Sequence, residues 1–339
     1  MNDRAATGRQ VGLLLLAFLA TFVLLAGAWA LVGRAGSYGP APSRLAAAPS
    51  GASPSTGGGT PAPFSFAPAP SGEPQVFVIT GAGDIADCSL PGAEQTSDLL
   101  LKEVGAVFTA GDNAYPDGSL VDYANCYEPT WGRVRDRTIL PAAGNHDWNT
   151  AGARGYLNYF GTAAAPQGVT WYSMDLGTWH VVVLDSDCGE VGGCGPASPQ
   201  GEWLAHDLAA STAHCTLAIW HHPRFSSGEH GNDPGVAPFW NALYAANAEL
   251  VVNGHDHDYE RFAPQDPAGV ETRPRGLREF VVGTGGAVLR QFQRKAPNSE
   301  FRHASVYGVL RLTLHPANYD WEFLPVEGEI ADAGSALCH

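Results

Sequence analysis

Five short segments constrain the fold of this chain more than any other feature. Each is a turn marked by glycine or proline that carries Asp, Asn, Tyr or His, and most follow directly on an apolar, β-branched run: GD at 83–84, GDNAY at 111–115, GNHD at 144–147, WHHP at 220–223 and GHDH at 254–257. Short apolar runs bounded by turn residues predict buried strands. Ligand-binding residues lie at the carboxyl ends of parallel strands in α/β proteins, so the pattern predicts one shared site.

The periodicity along the rest of the chain predicts an α/β domain. Strands are predicted for 75–80, 107–110, 138–141, 215–220, 250–253, 280–283, 306–314 and 319–324, an antiparallel pair for 169–175 and 179–185, and helices for 94–104, 200–210 and 236–246. The first strands alternate with a helix, as in βαβ units, and the later ones resemble a second sheet. We therefore expect two facing mixed β-sheets flanked by helices, a four-layer αββα sandwich.

The mixture of side chains on the five turns suits metal ions. Hard and borderline metals accept carboxylate, amide oxygen, phenolate and imidazole ligands. Two such metals a few ångströms apart form a clamp for in-line phosphoryl displacement. The ordered set therefore predicts a binuclear metal site in an enzyme that cleaves phosphate esters.

Taken singly, these residues have ordinary structural interpretations. An aspartate after glycine is a common turn former, a buried tyrosine is often only an aromatic with a satisfied hydroxyl, and a His-x-His pair is equally typical of a solvated loop. His255 and His257 are two residues apart, so on an extended backbone both imidazoles point the same way and can serve one cluster. His221 and His222 compete for one ligand position, and the residues alone do not decide between them.

The chain before the catalytic region has a different composition. Residues 1–10 read as a short cytoplasmic N-terminus, and the apolar run 11–32 is long enough to span a bilayer, with arginines on both sides. A cleavable signal peptide remains the alternative, since A-x-A sites occur within 26–30. Residues 33–73 are mostly Pro, Ala, Ser and Gly and predict a disordered linker. Residues 74–339 suit one large catalytic domain that lies outside the cytoplasm, anchored or secreted.

Cysteine count and charge limit the environment and the partners. Six cysteines outside the cytoplasm favour disulfides, and six allow fifteen pairings. Cys188 with Cys194 is the best local prediction; free buried thiols and a thiolate zinc site remain alternatives. The formal net charge of −15 argues against nucleic acid as a stable partner, because acidic surfaces repel phosphate backbones.

The five segments, in this order, resemble the calcineurin-like metallophosphoesterase superfamily, and within it the purple acid phosphatases. The stretch GHDHDYER at 254–261 is similar to that family's GHxHxYER signature, and the likeness covers roughly 75–325. Most of the superfamily has histidine where this chain has Ala86, and Asp or Asn where it has Tyr115. Both departures are typical of purple acid phosphatases, in which the tyrosine binds a ferric ion.

The resemblance implies a ligand set. Asp84, Asp112, Tyr115 and His257 would hold Fe(III); Asp112, Asn145, His221 and His255 would hold Fe(II), Zn(II) or Mn(II), with Asp112 bridging. His221 is preferred to His222 because the family's ligand lies two residues before proline. His146 and His230 would contact phosphate and protonate the leaving group. The remaining histidines are expected to be structural or solvated: His180, His206, His214, His222, His303, His315 and His339.

The same resemblance implies a reaction. Small phosphate monoesters would be hydrolysed by in-line attack of hydroxide generated at the two metals. A phosphodiesterase or nucleotidase with the same metal site is the alternative, and a surface binding protein that has kept the fold is an alternative of another class. Contact with a membrane would occur through the N-terminal segment if it is not cleaved.

Overall fold

The computed structural model describes residues 75–273 and 275–339. The predicted cytoplasmic segment, apolar segment and linker, which together span 1–73, lie outside these residues. Within the part of the chain that the structure describes, no helix is both long and apolar enough to cross a bilayer.

The described chain alternates strands with short helices. Its strands are β1 Phe77–Ala82, β2 Ala106–Ala110, β3 Thr138–Ala142, β4 Tyr172–Leu176, β5 Trp179–Val183, β6 Cys215–Ile219, β7 Leu250–Asn253, β8 Tyr259–Phe262, β9 Arg278–Val282, β10 Ser299–His303, β11 Gly308–Leu314, β12 Asn318–Pro325 and β13 Ala333–Leu337. Its α-helices are α1 Gly92–Leu100, α2 Leu120–Asp122, α3 Asn145–Trp148, α4 Arg154–Phe160, α5 Pro199–Ala210 and α6 Ala237–Ala245. One π-helical turn, Tyr123–Tyr127, and four 3₁₀ segments complete the elements: Trp131–Arg137, Ala151–Ala153, Gly161–Ala163 and Pro234–Val236.

The strands form two mixed sheets flanked by helices, which confirms the predicted fold class. The six-stranded sheet has the order β13-β12-β11-β1-β2-β3, and the seven-stranded sheet has the order β10-β8-β9-β7-β6-β5-β4. In the first sheet β1, β2 and β3 are parallel, and in the second β5, β6, β7 and β9 are parallel. Each sheet therefore contains a run of neighbouring parallel strands whose carboxyl ends lie on the same side.

The hydrophobic pattern of β5 shows how the layers assemble. Val181 and Val183 belong to the core cluster that includes residues of both sheets, whereas Val182 and the following Leu184 pack in a second cluster with residues of α5 and α6. Successive strand residues point to opposite faces, so a strand covered on both faces reads as continuously apolar. Burial on both sides thus fixes β5 in the middle of the sandwich.

Several sequence predictions need correction. Helix α1 ends at Leu100 rather than at 104, and three short strands were not predicted: β8, and the edge strands β10 and β13. Strand β8 follows directly on the His-x-His turn, so its residues were interpreted as part of the motif. Strand β10, with the sequence SEFRH, is polar, and β13, with the sequence AGSAL, is made of small residues, so neither carries a strong strand pattern.

All six cysteines are paired: Cys88 with Cys126, Cys188 with Cys194, and Cys215 with Cys338. The predicted local pair is confirmed, and the alternatives of free thiols and of a thiolate zinc site are wrong. The third disulfide joins the start of β6 in one sheet to the residue after β13 in the other. It therefore ties the C-terminal edge strand of the first sheet to the centre of the second.

His180 in β5 contributes stability that depends on pH. Its Nδ1 and Nε2 each lie 2.8 Å from a carboxylate, of Asp175 and Asp207 respectively. Burial alone would lower the pKa of His180, but hydrogen bonds to Asp207 and Asp175 outweigh it and raise that pKa. A histidine whose pKa is raised by folding stabilises the folded state. This contribution is complete below the pKa of the unfolded state, about 6.5, and disappears as the pH rises through the pKa of the folded state.

We therefore expect His180→Gln to cost about 1.5 kcal/mol of unfolding free energy at pH 5.5, in the range of hydrogen bonds to charged groups, and clearly less at pH 9. Denaturant titrations at both pH values measure the difference. The exposed His206→Gln, on α5, is the matched control. An equal cost for His180→Gln at both pH values would contradict the argument.

Candidate metal centre

Five strands, parallel within each sheet, bring five of the predicted ligands to one place. Asp84 follows β1, Asp112 follows β2 and Asn145 follows β3, all in the first sheet; His221 follows β6 and His255 follows β7 in the second. The strands within each group are parallel neighbours, so their carboxyl ends lie side by side. The two sheets thus contribute complementary halves of a single cluster.

The backbone at these strand ends is unusual. Asp84, Asp112 and His255 have φ values of 59°, 50° and 70°, a left-handed conformation that costs free energy for residues other than glycine. A Cβ added to Gly111 would lie 2.4 Å from Nδ1 of His221, and one added to Gly144 would lie 2.3 Å from Oδ1 of Asp112. Gly111 and Gly144 are therefore required, because ligand side chains approach the backbone there too closely for any side chain.

One group of ligand atoms surrounds the hydroxyl oxygen of Tyr115. That oxygen lies 3.0 Å from Oδ1 of Asp84, 3.1 Å from Oδ2 of Asp112 and 3.2 Å from Nε2 of His257. Nε2 of His257 is also 3.2 Å from Oδ1 of Asp84. These are the four residues that the resemblance assigns to the first metal, and the structure places them together.

A second group surrounds Nε2 of His221. This nitrogen lies 3.3 Å from Oδ2 of Asp112, 3.2 Å from Oδ1 of Asn145 and 3.2 Å from Nδ1 of His255. These are the four residues assigned to the second metal. The same oxygen of Asp112 belongs to both groups, so the geometry has two centres that share one carboxylate oxygen.

The hydrogen-bond pattern of the two groups fits cations. Nδ1 of His221 lies 2.9 Å from the carbonyl oxygen of Ala110, and Nδ1 of His257 lies 2.7 Å from that of Val288. If each Nδ1 donates its proton to that carbonyl, Nε2 of each neutral ring carries a lone pair that faces the lone pairs of neighbouring oxygens. Such lone pairs repel one another unless a proton or a cation lies between them. Metal-binding histidines are oriented in this way by a carbonyl or carboxylate partner. The donor set therefore fits a pair of metal ions.

The charges of the cluster are consistent with this fit. Burial lowers the pKa of His221, but the carboxylates of Asp112 and Asp84 outweigh it and raise that pKa to about 10, so a proton is held strongly where a cation fits. Burial and neighbouring imidazoles lower the pKa of His255, which leaves a neutral ring with a lone pair. Burial and two carboxylates raise the pKa of Tyr115 well above its ordinary value. A bound metal would displace the proton of His221.

Two further histidines flank the cluster as the sequence predicted. The backbone N–H of His146 donates to Oδ1 of Asp112 at 2.8 Å, and its Nδ1 lies 2.5 Å from the carbonyl oxygen of Pro116, which leaves Nε2 3.9 Å from Oδ2 of Asp112. The ring of His230 is exposed, and its centroid lies 4.3 Å from that of His255. Both imidazoles therefore border the two centres from the solvent side.

His222 lies closer to the cluster than expected. Its ring centroid is 4.3 Å from that of His255, and its Nδ1 lies 2.8 Å from the hydroxyl of Ser186. Burial, with the charge of His221, lowers the pKa of His222 to about 3. Of these two neighbouring histidines, His221 is the one that contacts Asp112 and Asn145. The structure therefore places His221, the predicted ligand, beside the carboxylate of Asp112 that both groups share.

The extended backbone predicted for His255 and His257 is wrong. Residues 255–258 form a bend rather than an extended strand, and the backbone of His255 is left-handed. The bend turns the two imidazoles to different centres, since His255 contacts His221 and His257 contacts Tyr115. Both reach the cluster, but not because residues two apart share a face.

A supporting carboxylate, of Asp147, was not among the predicted site residues. Asp147 is buried and accepts hydrogen bonds from the amide of Asn113 at 2.9 Å, the backbone N–H of Gly144 at 3.0 Å and the hydroxyl of Tyr123 at 2.7 Å. It therefore fastens the turn after β2 to the turn after β3. Asp147 is the last residue of the GNHD segment, but the local sequence does not indicate which groups it contacts.

Comparisons with known proteins agree with this geometry. The family model described as calcineurin-like phosphoesterase matches residues 66–259. An uncharacterised protein of Mycobacterium tuberculosis is 30% identical over 191 residues, which are 45% of this chain and 36% of that protein. Purple acid phosphatase 21 of Arabidopsis thaliana is 27% identical over 230 residues, 59% of this chain and 51% of that protein. The chain thus spans about half the length of these relatives or less.

A solved structure extends the likeness to the fold. A purple acid phosphatase from yellow lupin (Lupinus luteus) seeds superimposes with a TM-score of 0.64 at 20% identity, over 78% of this chain and 54% of that chain. This likeness concerns the arrangement of the two sheets, which carry the five turns described above.

Proposed function

The chain belongs to the calcineurin-like phosphoesterase family, and on that premise we propose that it hydrolyses phosphate monoesters at a binuclear metal site. The observation that carries this proposal is the shared oxygen of Asp112, which lies 3.1 Å from the Tyr115 hydroxyl and 3.3 Å from Nε2 of His221. Two adjacent centres with one bridging carboxylate suit the clamp that in-line phosphoryl transfer requires. A single-metal or purely structural site needs no such sharing.

The side chains would divide the work as follows. Asp84, Asp112, Tyr115 and His257 would hold one metal, and Asp112, Asn145, His221 and His255 the other. Bound metals supply neutralisation of the phosphoryl oxygens and a hydroxide nucleophile at moderate pH. Asn145 is the one neutral oxygen donor, so it keeps one centre less negative than the other.

Proton donation is the task of His146 and His230. In the reaction the phosphorus–oxygen bond to the leaving group breaks, and the electron pair stays on that oxygen. An imidazolium at the site mouth gives its proton to the oxygen, which then departs as an alcohol. His146 is held for this by its contact with Pro116, and His230 by the loop that carries it.

We propose Fe(III) at the Tyr115 centre, with Fe(II), Zn(II) or Mn(II) at the other. Support comes from the two positions at which this chain differs from most of the superfamily. Ala86, in place of a histidine, offers no ligand, while Tyr115, in place of Asp or Asn, offers a phenolate. The two positions are coupled, because the N–H of Tyr115 donates to the carbonyl of Ala86 at 2.9 Å. The buried phenol has a raised pKa, so a strongly Lewis-acidic cation suits it best.

Tyr115→Phe tests the iron assignment. We expect the wild-type chain, loaded with iron, to absorb visible light through phenolate-to-iron charge transfer and the variant to lose that band. The matched control is Tyr123→Phe, because Tyr123 is also buried but donates to Asp147 at 2.7 Å instead of joining the cluster. A band that survives Tyr115→Phe would contradict the assignment, and its loss in Tyr123→Phe instead would move the phenolate to Tyr123.

We propose a location outside the cytoplasm. The three disulfides support it, because such bonds persist in oxidising compartments. Whether residues 11–32 anchor the chain or are removed is tested by sequencing the mature N-terminus. The partners expected there are small phosphorylated substrates.

The deciding experiment compares hydrolysis of a chromogenic phosphate monoester and a diester by the purified full chain, before and after chelator treatment. Metal-dependent cleavage that favours the monoester supports the proposal. Preference for the diester would replace it with the phosphodiesterase alternative. Cleavage of neither ester by metal-loaded protein would leave the binding-protein alternative, which the complete ligand set makes harder to explain.

A further inference from the structure

The loop 224–231, which carries His230, rests on buried carboxylates. Glu279 of β9 accepts from the backbone N–H groups of Arg224, at 2.8 Å, and Phe225, at 3.1 Å. Glu260 of β8 accepts from the N–H of Ser227 at 2.7 Å and from its hydroxyl at 2.6 Å. Since both carboxylates are fully buried, these bonds are shielded from competing water. The first half of the loop is therefore fixed to the sheet.

A third carboxylate, of Asp256, holds the half that carries His230. Its Oδ1 accepts from the backbone N–H of His230 at 2.7 Å, and its Oδ2 accepts from the N–H of Gly231 at 3.1 Å and from the hydroxyl of Ser226. Asp256 is 0% exposed. A Cβ added to Gly228 would lie 2.3 Å from Cγ of Asp256, so the loop packs directly on this side chain.

Asp256 links the loop that carries His230 to the bend that carries two proposed metal ligands. It stands between His255 and His257, the residues proposed to bind different metals, and its N–H donates to the carbonyl of Gly254 at 2.9 Å. The rings of His230 and His255 are in contact, with centroids 4.3 Å apart and a tilt of 34° between their planes. The bend therefore positions two proposed metal ligands directly, and through Asp256 it also positions the exposed imidazole of His230 beside them.

We propose that Asp256 is a positioning residue, which fixes the backbone of His230 so that its imidazole gives a proton to the leaving oxygen. The inference rests on the proposed function for its chemical step, while the contacts themselves do not depend on it. Bonds from N–H groups to a carboxylate are stronger than neutral ones, and this residue receives three hydrogen bonds. Replacing the acceptor therefore loosens His230 without removing a metal ligand.

Asp256→Asn tests the proposal, because the amide turns one acceptor into a donor that faces N–H groups. An alkyl phosphate such as glycerol phosphate needs a protonated leaving group, whereas nitrophenolate leaves as a weak base. We expect kcat for the alkyl ester to fall about 30-fold and that for the nitrophenyl ester to change less than about threefold, with metal content unchanged. Hydrogen exchange of the amides at 228–231 should become at least about tenfold faster.

His230→Gln identifies the route of the effect. If Asp256 acts through His230, adding Asp256→Asn to His230→Gln lowers kcat for the alkyl ester by less than about twofold, because the two losses do not add. Asp258→Asn is the matched control: it lies on the same bend, is 0% exposed, and neither carboxylate oxygen has a hydrogen-bond partner among the described residues. We expect it to leave both the ester selectivity and the exchange at 228–231 unchanged.

Three results would overturn the proposal: equal loss on both esters, whether or not the metal content falls, a full additional loss in the double variant, or unchanged exchange at 228–231 in Asp256→Asn. A failure of the proposed function is seen separately. In that case the wild-type chain cleaves neither ester, while faster exchange in Asp256→Asn still reports whether this carboxylate holds the loop.

Discussion

Replacing Asp112 by asparagine should remove nearly all activity, roughly a thousandfold or more in kcat, while the protein stays folded. Its Oδ2 lies within 3.3 Å of both Tyr115 and His221, and its Oδ1 accepts from the backbone of His146 at 2.8 Å. Asparagine keeps the shape but removes the charge that both proposed metals share. A loss of about 4 kcal/mol of transition-state stabilisation corresponds to that factor.

The measurement joins kinetics with metal analysis. We expect Asp112→Asn to retain less than half of the wild-type metal, whereas ligands that serve one centre, such as Asn145, should affect mainly one equivalent when replaced. Asp117→Asn is the matched control, because Asp117 lies five residues further along and is exposed. An Asp112→Asn variant with full metal content and activity within tenfold of wild type would refute the bridging role.

The electrostatics of Asp112 explain why the effect should be large. Burial raises its pKa, but the charges and hydrogen bonds of His221 and His146 outweigh burial and hold that pKa well below its ordinary range. The carboxylate is therefore ionised inside a buried cluster, where an unscreened charge acts strongly. Replacing the carboxylate leaves His221 beside a neutral amide. His221 then binds its proton less tightly in the metal-free protein, and the cluster binds metal less tightly.

How far the sequence predicts this site can be judged from particular residues. The turns after β1, β2 and β3 were predictable because apolar runs ending in glycine and a polar residue report a strand end locally. The resemblance to calcineurin-like phosphoesterases is confirmed, as is the two-sheet fold. The metal roles of the seven residues remain predictions, although the structure brings their side chains together.

What the sequence does not predict depends on distant partners. Asp256 is only the variable position of GHxH until the loop 224–231 is seen to donate to it. Cys215 and Cys338 are 123 residues apart, and nothing in the local sequence selects that pairing. The bend at His255 sends neighbouring imidazoles to separate centres, which follows from a left-handed backbone that no side-chain pattern encodes.

Removal of the disulfide between Cys215 and Cys338 should produce the largest loss of stability. In the chain-entropy account, the constraint on the unfolded chain grows with the enclosed loop, so a separation of 123 residues corresponds to about 5 kcal/mol. The double variant Cys215→Ala with Cys338→Ala is the suitable change, because Cys215 is buried and a serine there would bury a hydroxyl. For a domain of this size we expect the Tm to fall by roughly 12 °C.

The local disulfide provides a control within the same protein. Cys188 and Cys194 are six residues apart, so Cys188→Ala with Cys194→Ala should cost about 2 kcal/mol, or roughly 5 °C. Calorimetry of the two double variants under oxidising conditions compares them directly. The larger loss should also be accompanied by faster hydrogen exchange in β13, whose residues are at best half-buried and which, among the described strands, pairs with β12 alone. Equal Tm losses would mean that strain or residual structure, rather than loop length, determines what these bonds contribute.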